Sequence, residues 1–216
     1  MTILLSDPRL IAVPVADNDE PLVRLGPDFG PARALVRLGL AARLEQARNR
    51  LPVGIGMLVV EGYRTPAAQQ AIIDQYSADL RRRHPQARHA EIEQLTSRFV
   101  APLEVAPHVA GAAVDLTLFD VCGDELDMGT PVDATPEASQ GRCYFAAGDI
   151  SPDARAHRDL LAAALGAAGL VNYPTEWWHW SYGDRYWALL SGEPAAIYGP
   201  VAMPSTSWEL ARQGVA

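Results

Sequence analysis

Apolar positions along the chain recur with two different periods, and the expected elements follow from where each period holds. Between residues 31 and 50, Leu35, Val36, Leu40 and Leu44 stand near helical spacing with arginines largely elsewhere, which predicts an amphipathic helix. Residues 56–63 (GMLVVEGY) form a short apolar run bounded by glycines and read as a buried strand. Pro66 opens a second helix over 67–83, which Pro85 stops. A third, shorter helix over 87–99 precedes the Pro-punctuated loop APLEVAP. Residues 112–119 alternate Ala113, Asp115 and Thr117 against Val114, Leu116 and Leu118, the pattern of a strand whose polar face lines a cleft.

Residues 121–150 are rich in Gly, Asp, Pro and Thr and sustain no period, so they predict a long loop of the kind that often carries function. Ser151 and Pro152 make an N-cap and first position for an Ala/Leu-rich helix that ends at Gly169. The aromatic run 175–182 (TEWWHWSY) is strand-like, and a last helix starts near Asp184. In residues 1–30 short apolar runs are broken by Pro and Asp, which predicts an extended N-terminal segment. Strands and helices interleaved around a loop-rich middle predict an α+β fold. The expectation is a single domain over residues 1–216, with a small, largely antiparallel central sheet flanked by helices.

Composition narrows the partners. At 49% hydrophobic and 20% charged residues the chain is not of a disordered class. Its net charge of -8 repels phosphate backbones and anionic lipid surfaces, so neither nucleic acid nor membrane is expected as a partner. The opening residues lack a basic stretch ahead of an apolar run, and no run approaches the roughly eighteen apolar residues of a membrane span, which points to a cytoplasmic protein. Cys122 and Cys143 are too few for a disulfide scaffold; reduced thiols are expected, with one bridge between them left open.

The histidines divide into two groups. His84, His89 and His157 sit among Arg, Asp and Gln and read as solvated, whereas His108 and His179 each adjoin a predicted strand with a carboxylate nearby. A catalytic zinc takes three protein ligands and leaves one position for water. His108 and Asp115 are separated by small residues including Gly111, so a loop carrying the histidine can fold back beside an inward-facing Asp115. A structural His–Asp pair is the competing reading of that spacing. Glu176 and His179 lie three apart, and in a regular strand they face opposite ways. They share a site only if the chain kinks or Glu176 lies on the preceding loop, for which Pro174 and Thr175 give grounds. A glutamate there could act as general base; an ordinary aromatic strand is the alternative. Arg64, where the chain leaves the strand at VVEGYRTP, could face a developing oxyanion or clamp a carboxylate, or form a salt bridge with Glu61 or Asp74.

Together H108-V-A-G-A-A-V-D115, E176-W-W-H179 and Tyr63-Arg64 resemble the zinc D,D-peptidases, most closely the VanX-type D-alanyl-D-alanine dipeptidases. Their pattern is S-x-H-x-x-G-x-A-x-D, then E-x-x-H, with a Y-R pair upstream. The resemblance runs from about Val59 to Tyr182. It implies one zinc per chain held by His108, Asp115 and His179, Glu176 as catalytic acid/base, Arg64 as transition-state stabiliser and a small dipeptide as substrate. It also implies the α+β domain with an antiparallel sheet that these peptidases share. Two departures touch substrate recognition. Ala106 replaces the serine of the pattern, and Asp127-Met128-Gly129-Thr130 is followed by Pro131-Val132-Asp133 in place of an aromatic-Asp ending. Asp127 or Asp133 would suit the substrate ammonium, and Tyr63 joins them as a candidate substrate contact. A D,D-carboxypeptidase acting on longer peptidoglycan peptides and a non-catalytic zinc-stabilised binding module are the two rival functions.

Overall fold

Two antiparallel sheets carry the chain, and the strands at 56–61, 113–119 and 179–181 stand within the runs that foretold them. The computed structural model describes residues 2–201; Met1 and residues 202–216, which the single-domain expectation includes, lie outside the described residues. In chain order the elements are α1 (Pro8–Ala12), β1 (Leu22–Arg24), β2 (Leu35–Arg37), α2 (Leu38–Arg48), β3 (Gly56–Glu61) and α3 (Pro66–Arg83). There follow α4 (His89–Thr96), β4 (Ala113–Phe119), α5 (Pro136–Ser139), α6 (Pro152–Ala167), β5 (Val171–Asn172), β6 (His179–Ser181) and α7 (Arg185–Ser191). The main sheet has the order β3-β4-β6-β5, antiparallel throughout, and β1 pairs with β2 in a second small sheet. The fold is α+β. Among the described residues no helix is long and apolar enough to cross a membrane.

Capping explains where the long helices start. Thr65 accepts from the Ala68 amide at 3.2 Å and Ser151 from the Ala154 amide at 3.0 Å, each ahead of a proline at the first helical position. The principal core lies where α2 and α6 cover the main sheet. Leu40 and Leu44 of α2, Leu161 and Leu165 of α6, and Val114, Leu116 and Leu118 of β4 are all fully buried there. Each such side chain contributes about 1.5–3 kcal/mol over its exposed state. A separate cluster, Tyr76, Leu80, Ile92 and Val100, joins α3 to α4.

Three expectations need correction. The helix predicted over 31–50 begins only at Leu38, because Leu35–Arg37 pairs with Leu22–Arg24 and a ladder with a distant segment outweighs local helical spacing. The N-terminal segment is not extended throughout: Asp7 caps the five-residue α1, accepting from the Arg9 amide at 2.9 Å. Of the run 175–182, only His179–Ser181 is strand; the residues before it form a turn.

One irregularity in β3 bears directly on the cleft. Val59 pairs with Leu116 and Glu61 with Asp115, so Val60 is an extra residue in the strand, a bulge. Just beyond it, a methyl group added to Gly62 would lie 2.5 Å from the Leu35 carbonyl oxygen, a backbone atom that cannot step aside. Gly62→Ala is expected to lower stability by about 1–3 kcal/mol through overpacking. For a chain of this size that is a fall of several degrees in Tm, measured by thermal unfolding; an unchanged Tm would refute the close approach.

Candidate metal centre and active site

His108 is placed from two sides. It lies in a single 3₁₀ turn, Pro107–Ala110, which Gly111 ends in the left-handed region at φ 65°. The ring Nδ1 donates to the Gly62 carbonyl at 2.7 Å, while the His108 carbonyl accepts from the Arg64 amide at 3.1 Å. This reciprocal pair locks the histidine turn to the segment after β3 and leaves Nε2 as the free lone pair. Asp115 sits on β4 directly opposite His179 on β6. The kink that the E-x-x-H spacing requires is present. Glu176 lies on the turn before β6, where the Asn172 amide donates to the carbonyls of Glu176 and His179, each at 2.9 Å.

The three side chains converge. His108 Nε2 is 3.2 Å from His179 Nδ1 and 3.3 Å from Asp115 Oδ2, and His179 Nδ1 is 3.1 Å from Asp115 Oδ1. All three residues are buried, and their donor atoms lie within 4.8 Å of one another. Two imidazole nitrogens and a carboxylate at hydrogen-bond distance need protons or a cation between them. A tetrahedral ion with arms of about 2.0–2.1 Å has donor–donor edges of roughly 3.3 Å, so the set fits such an ion, and the Gly62 bond to His108 is the outer support that metal-binding histidines use.

Glu176 completes a buried carboxylate pair. Its Oε2 is 3.8 Å from His179 Nδ1, too far for a hydrogen bond. Burial pushes its carboxyl well above the usual range, the negative charges of Asp115 and Asp133 add to this, and Arg64 opposes it. Burial would raise Asp115 as well, but the adjoining imidazoles, His108 first, hold it below the usual carboxylate range. Burial also holds the His179 imidazole below its ordinary value.

A cleft of about 640 Å³ opens over this group, between the main sheet, α3 and the loop after β4. His108, Asp115, Glu176, His179, Arg64 and Asp133 all line it. Arg64 donates from Nε to Glu61 at 2.8 Å and from Nη1 to the Gln69 side-chain oxygen at 2.8 Å, with a second bond from Nη2 to Glu61. The salt bridge to Glu61 and a position on the cleft are therefore both realised, and Asp74 plays no part in it. Gln69, only 1% exposed, is itself held by the Ala101 carbonyl at 2.8 Å.

A family profile described as D-ala-D-ala dipeptidase matches residues 30–191. The chain belongs to that family, and it is a peptidase. A D-alanyl-D-alanine dipeptidase of Synechocystis is 30% identical over 217 aligned residues, 82% of this chain and 88% of that protein. A D-alanyl-D-alanine dipeptidase of Escherichia coli K12 is 40% identical over 72 residues, 33% of this chain and 35% of that protein. Among solved structures, a point mutant of the vancomycin resistance D,D-pentapeptidase VanY in complex with Zn(II) aligns at 17% identity and a TM-score of 0.47, covering 85% of this chain and 91% of that one. VanXYg in complex with a D-Ala-D-Ala phosphinate analog aligns at 21% identity and the same TM-score, covering 84% and 64%.

Within this dipeptidase-family site the other candidates fare differently. Asp133 stands exposed at the cleft, where partial desolvation and the charges of Asp115 and Glu61 push its carboxyl up to about 6. Asp127 does not line the cleft. It is exposed, accepts from the Gly129 amide and the Ser151 hydroxyl at 2.7 Å each, and serves as a local turn former. Tyr63 does not line the cleft either; its hydroxyl is buried without a partner among the described residues. Glu61 and Gln69, which sequence reading did not select for the site, position Arg64. The i, i+3 spacing of Glu61 and Arg64 was the visible signal for the first; Gln69 gave none.

Cys122 and Cys143 are both free.

Proposed function

We propose that the chain is a zinc peptidase hydrolysing D-alanyl-D-alanine or a similar small D,D-dipeptide. The observation that carries this reading is the convergence of His108, Asp115 and His179, from separated stretches, beneath a cleft that Glu176 and Arg64 also line. His108, Asp115 and His179 would hold one zinc per chain. When bound, zinc supplies carbonyl polarisation and activation of water near neutral pH. Glu176, a base strengthened by burial, takes the proton of the attacking water and returns it to the leaving amine nitrogen. Beside such a cation the Glu176 carboxylate would stay available at neutral pH despite its burial.

Arg64, fixed by Glu61 and Gln69, keeps N–H groups for the oxygen on which negative charge develops. Asp133 receives the substrate ammonium, and Ala106 offers no hydroxyl for the other end. A cytoplasmic setting belongs to the same reading and agrees with two free thiols, which reducing compartments favour.

The test is D-alanine release from D-alanyl-D-alanine by chelated and zinc-reloaded protein, with a muramyl pentapeptide and L,L- and L,D-dipeptides alongside. Chelation is expected to abolish release, one equivalent of zinc to restore it, and the D,D-dipeptide to be the preferred substrate. Full activity after complete chelation refutes the zinc reading, and preference for the pentapeptide refutes the substrate.

A further inference from the structure

Arg158 of α6 is fully buried, and among the described residues it has no carboxylate partner. A charge taken out of water persists only where its donors are satisfied. Here the satisfaction comes from backbone alone. Nε donates to the Met128 carbonyl at 2.8 Å, Nη1 to those of Tyr144 and Phe145 at 2.7 and 3.3 Å, and Nη2 to that of Arg142 at 2.8 Å. Burial, with the nearby Arg155, draws the guanidinium down only to about 10, so it stays charged at neutral pH.

These acceptors flank residues 129–141, the stretch that brings Asp133 and Thr135 to the cleft. Trp177 holds the same two limbs from the other side. Its amide donates to the Cys143 carbonyl at 3.0 Å and its indole to the Thr130 hydroxyl at 2.8 Å. The Arg158 guanidinium lies 5.5 Å over the Trp177 ring, and Trp177 directly follows Glu176. α6, the loop and the Glu176 turn thus meet at one buried junction.

We propose that Arg158 and Trp177 form a clamp that sets substrate affinity by fixing the Asp133-bearing loop against the Glu176 turn. Both are positioning residues; neither lines the cleft. The kinetic part of this inference rests on the dipeptidase reading, whereas the clamp does not. Lysine carries one nitrogen and cannot span both limbs, so Arg158→Lys keeps the charge and loses the fork.

The test combines steady-state kinetics on D-alanyl-D-alanine, zinc content, and the rate of tryptic cleavage after Arg142, an exposed residue on the limb that Arg158 holds. For Arg158→Lys the expected result is a KM raised about ten- to hundredfold with kcat changed far less, zinc retained at one per chain, and cleavage at least about tenfold faster. A purely structural role would lower the folded yield and leave KM untouched. An unchanged KM or an unchanged cleavage rate overturns the proposal. Should Arg158→Lys fail to fold, Thr130→Val, which removes the acceptor of the Trp177 indole, has to raise both KM and cleavage; wild-type values there overturn it. If the wild type hydrolyses no dipeptide, the dipeptidase reading falls and cleavage at Arg142 alone decides the clamp.

Discussion

Glu176→Gln is expected to lower kcat on D-alanyl-D-alanine by about three orders of magnitude while the protein keeps one zinc per chain. The size follows from what the residue is asked to do, since a positioned general acid/base contributes roughly a hundred- to ten-thousandfold. Glutamine preserves the shape of a side chain held between the Tyr173–Glu176 turn and the cleft, but it cannot take a proton. It also removes a carboxylate from a site that Asp115 and Asp133 crowd. Zinc is retained because Glu176 Oε2 stands 3.8 Å from His179 Nδ1, outside the tight donor set. Steady-state rates with metal analysis on the same preparation decide it. A loss of less than tenfold would move the base elsewhere, with Asp133 the next carboxyl on the cleft.

His179→Ala acts on the other half of the site. Removing one of three protein donors leaves His108 and Asp115 without the edge that closes the set, and zinc content falls from one per chain to near zero at submicromolar free metal. A ligand that binds only the folded state stabilises it by about 4 kcal/mol at a thousandfold excess over its Kd, on the order of 10 °C in Tm for a chain of this length. The wild type should show that shift on zinc addition, and the variant should show neither shift nor hydrolysis. His89→Ala is the control, since that imidazole is exposed and, among the described residues, paired with Glu93. A variant that still binds zinc stoichiometrically and gains the full shift would remove His179 from the metal set.

What the sequence disclosed, and what it withheld, divides by range of interaction. The alternation of β4 placed Asp115 correctly because period two depends only on neighbouring residues facing a core. The small residues around Gly111 signalled the fold-back of His108 for the same local reason. Leu35–Arg37 escaped because its strand character comes from Leu22–Arg24, a partner that no local window contains. Asp127 could not be told from Asp133 by its motif, since Asp-x-Gly satisfies its own backbone in a turn as readily as it faces a ligand. Gln69 was invisible: in an α3 otherwise exposed at its start, nothing local distinguishes a glutamine reaching Arg64 and Ala101 from one in solvent.

The extra residue at Val60 makes the arginine's reach a matter of counting rather than of chemistry. Were the strand to run on regularly with that residue kept, Val60 would stand opposite Asp115, and Glu61, the anchor of Arg64, would turn to the other side of the sheet, with every side chain of the metal set still present. Relatives of the same length whose β3 lacks the bulge should therefore be expected to build this wall of the cleft from other groups.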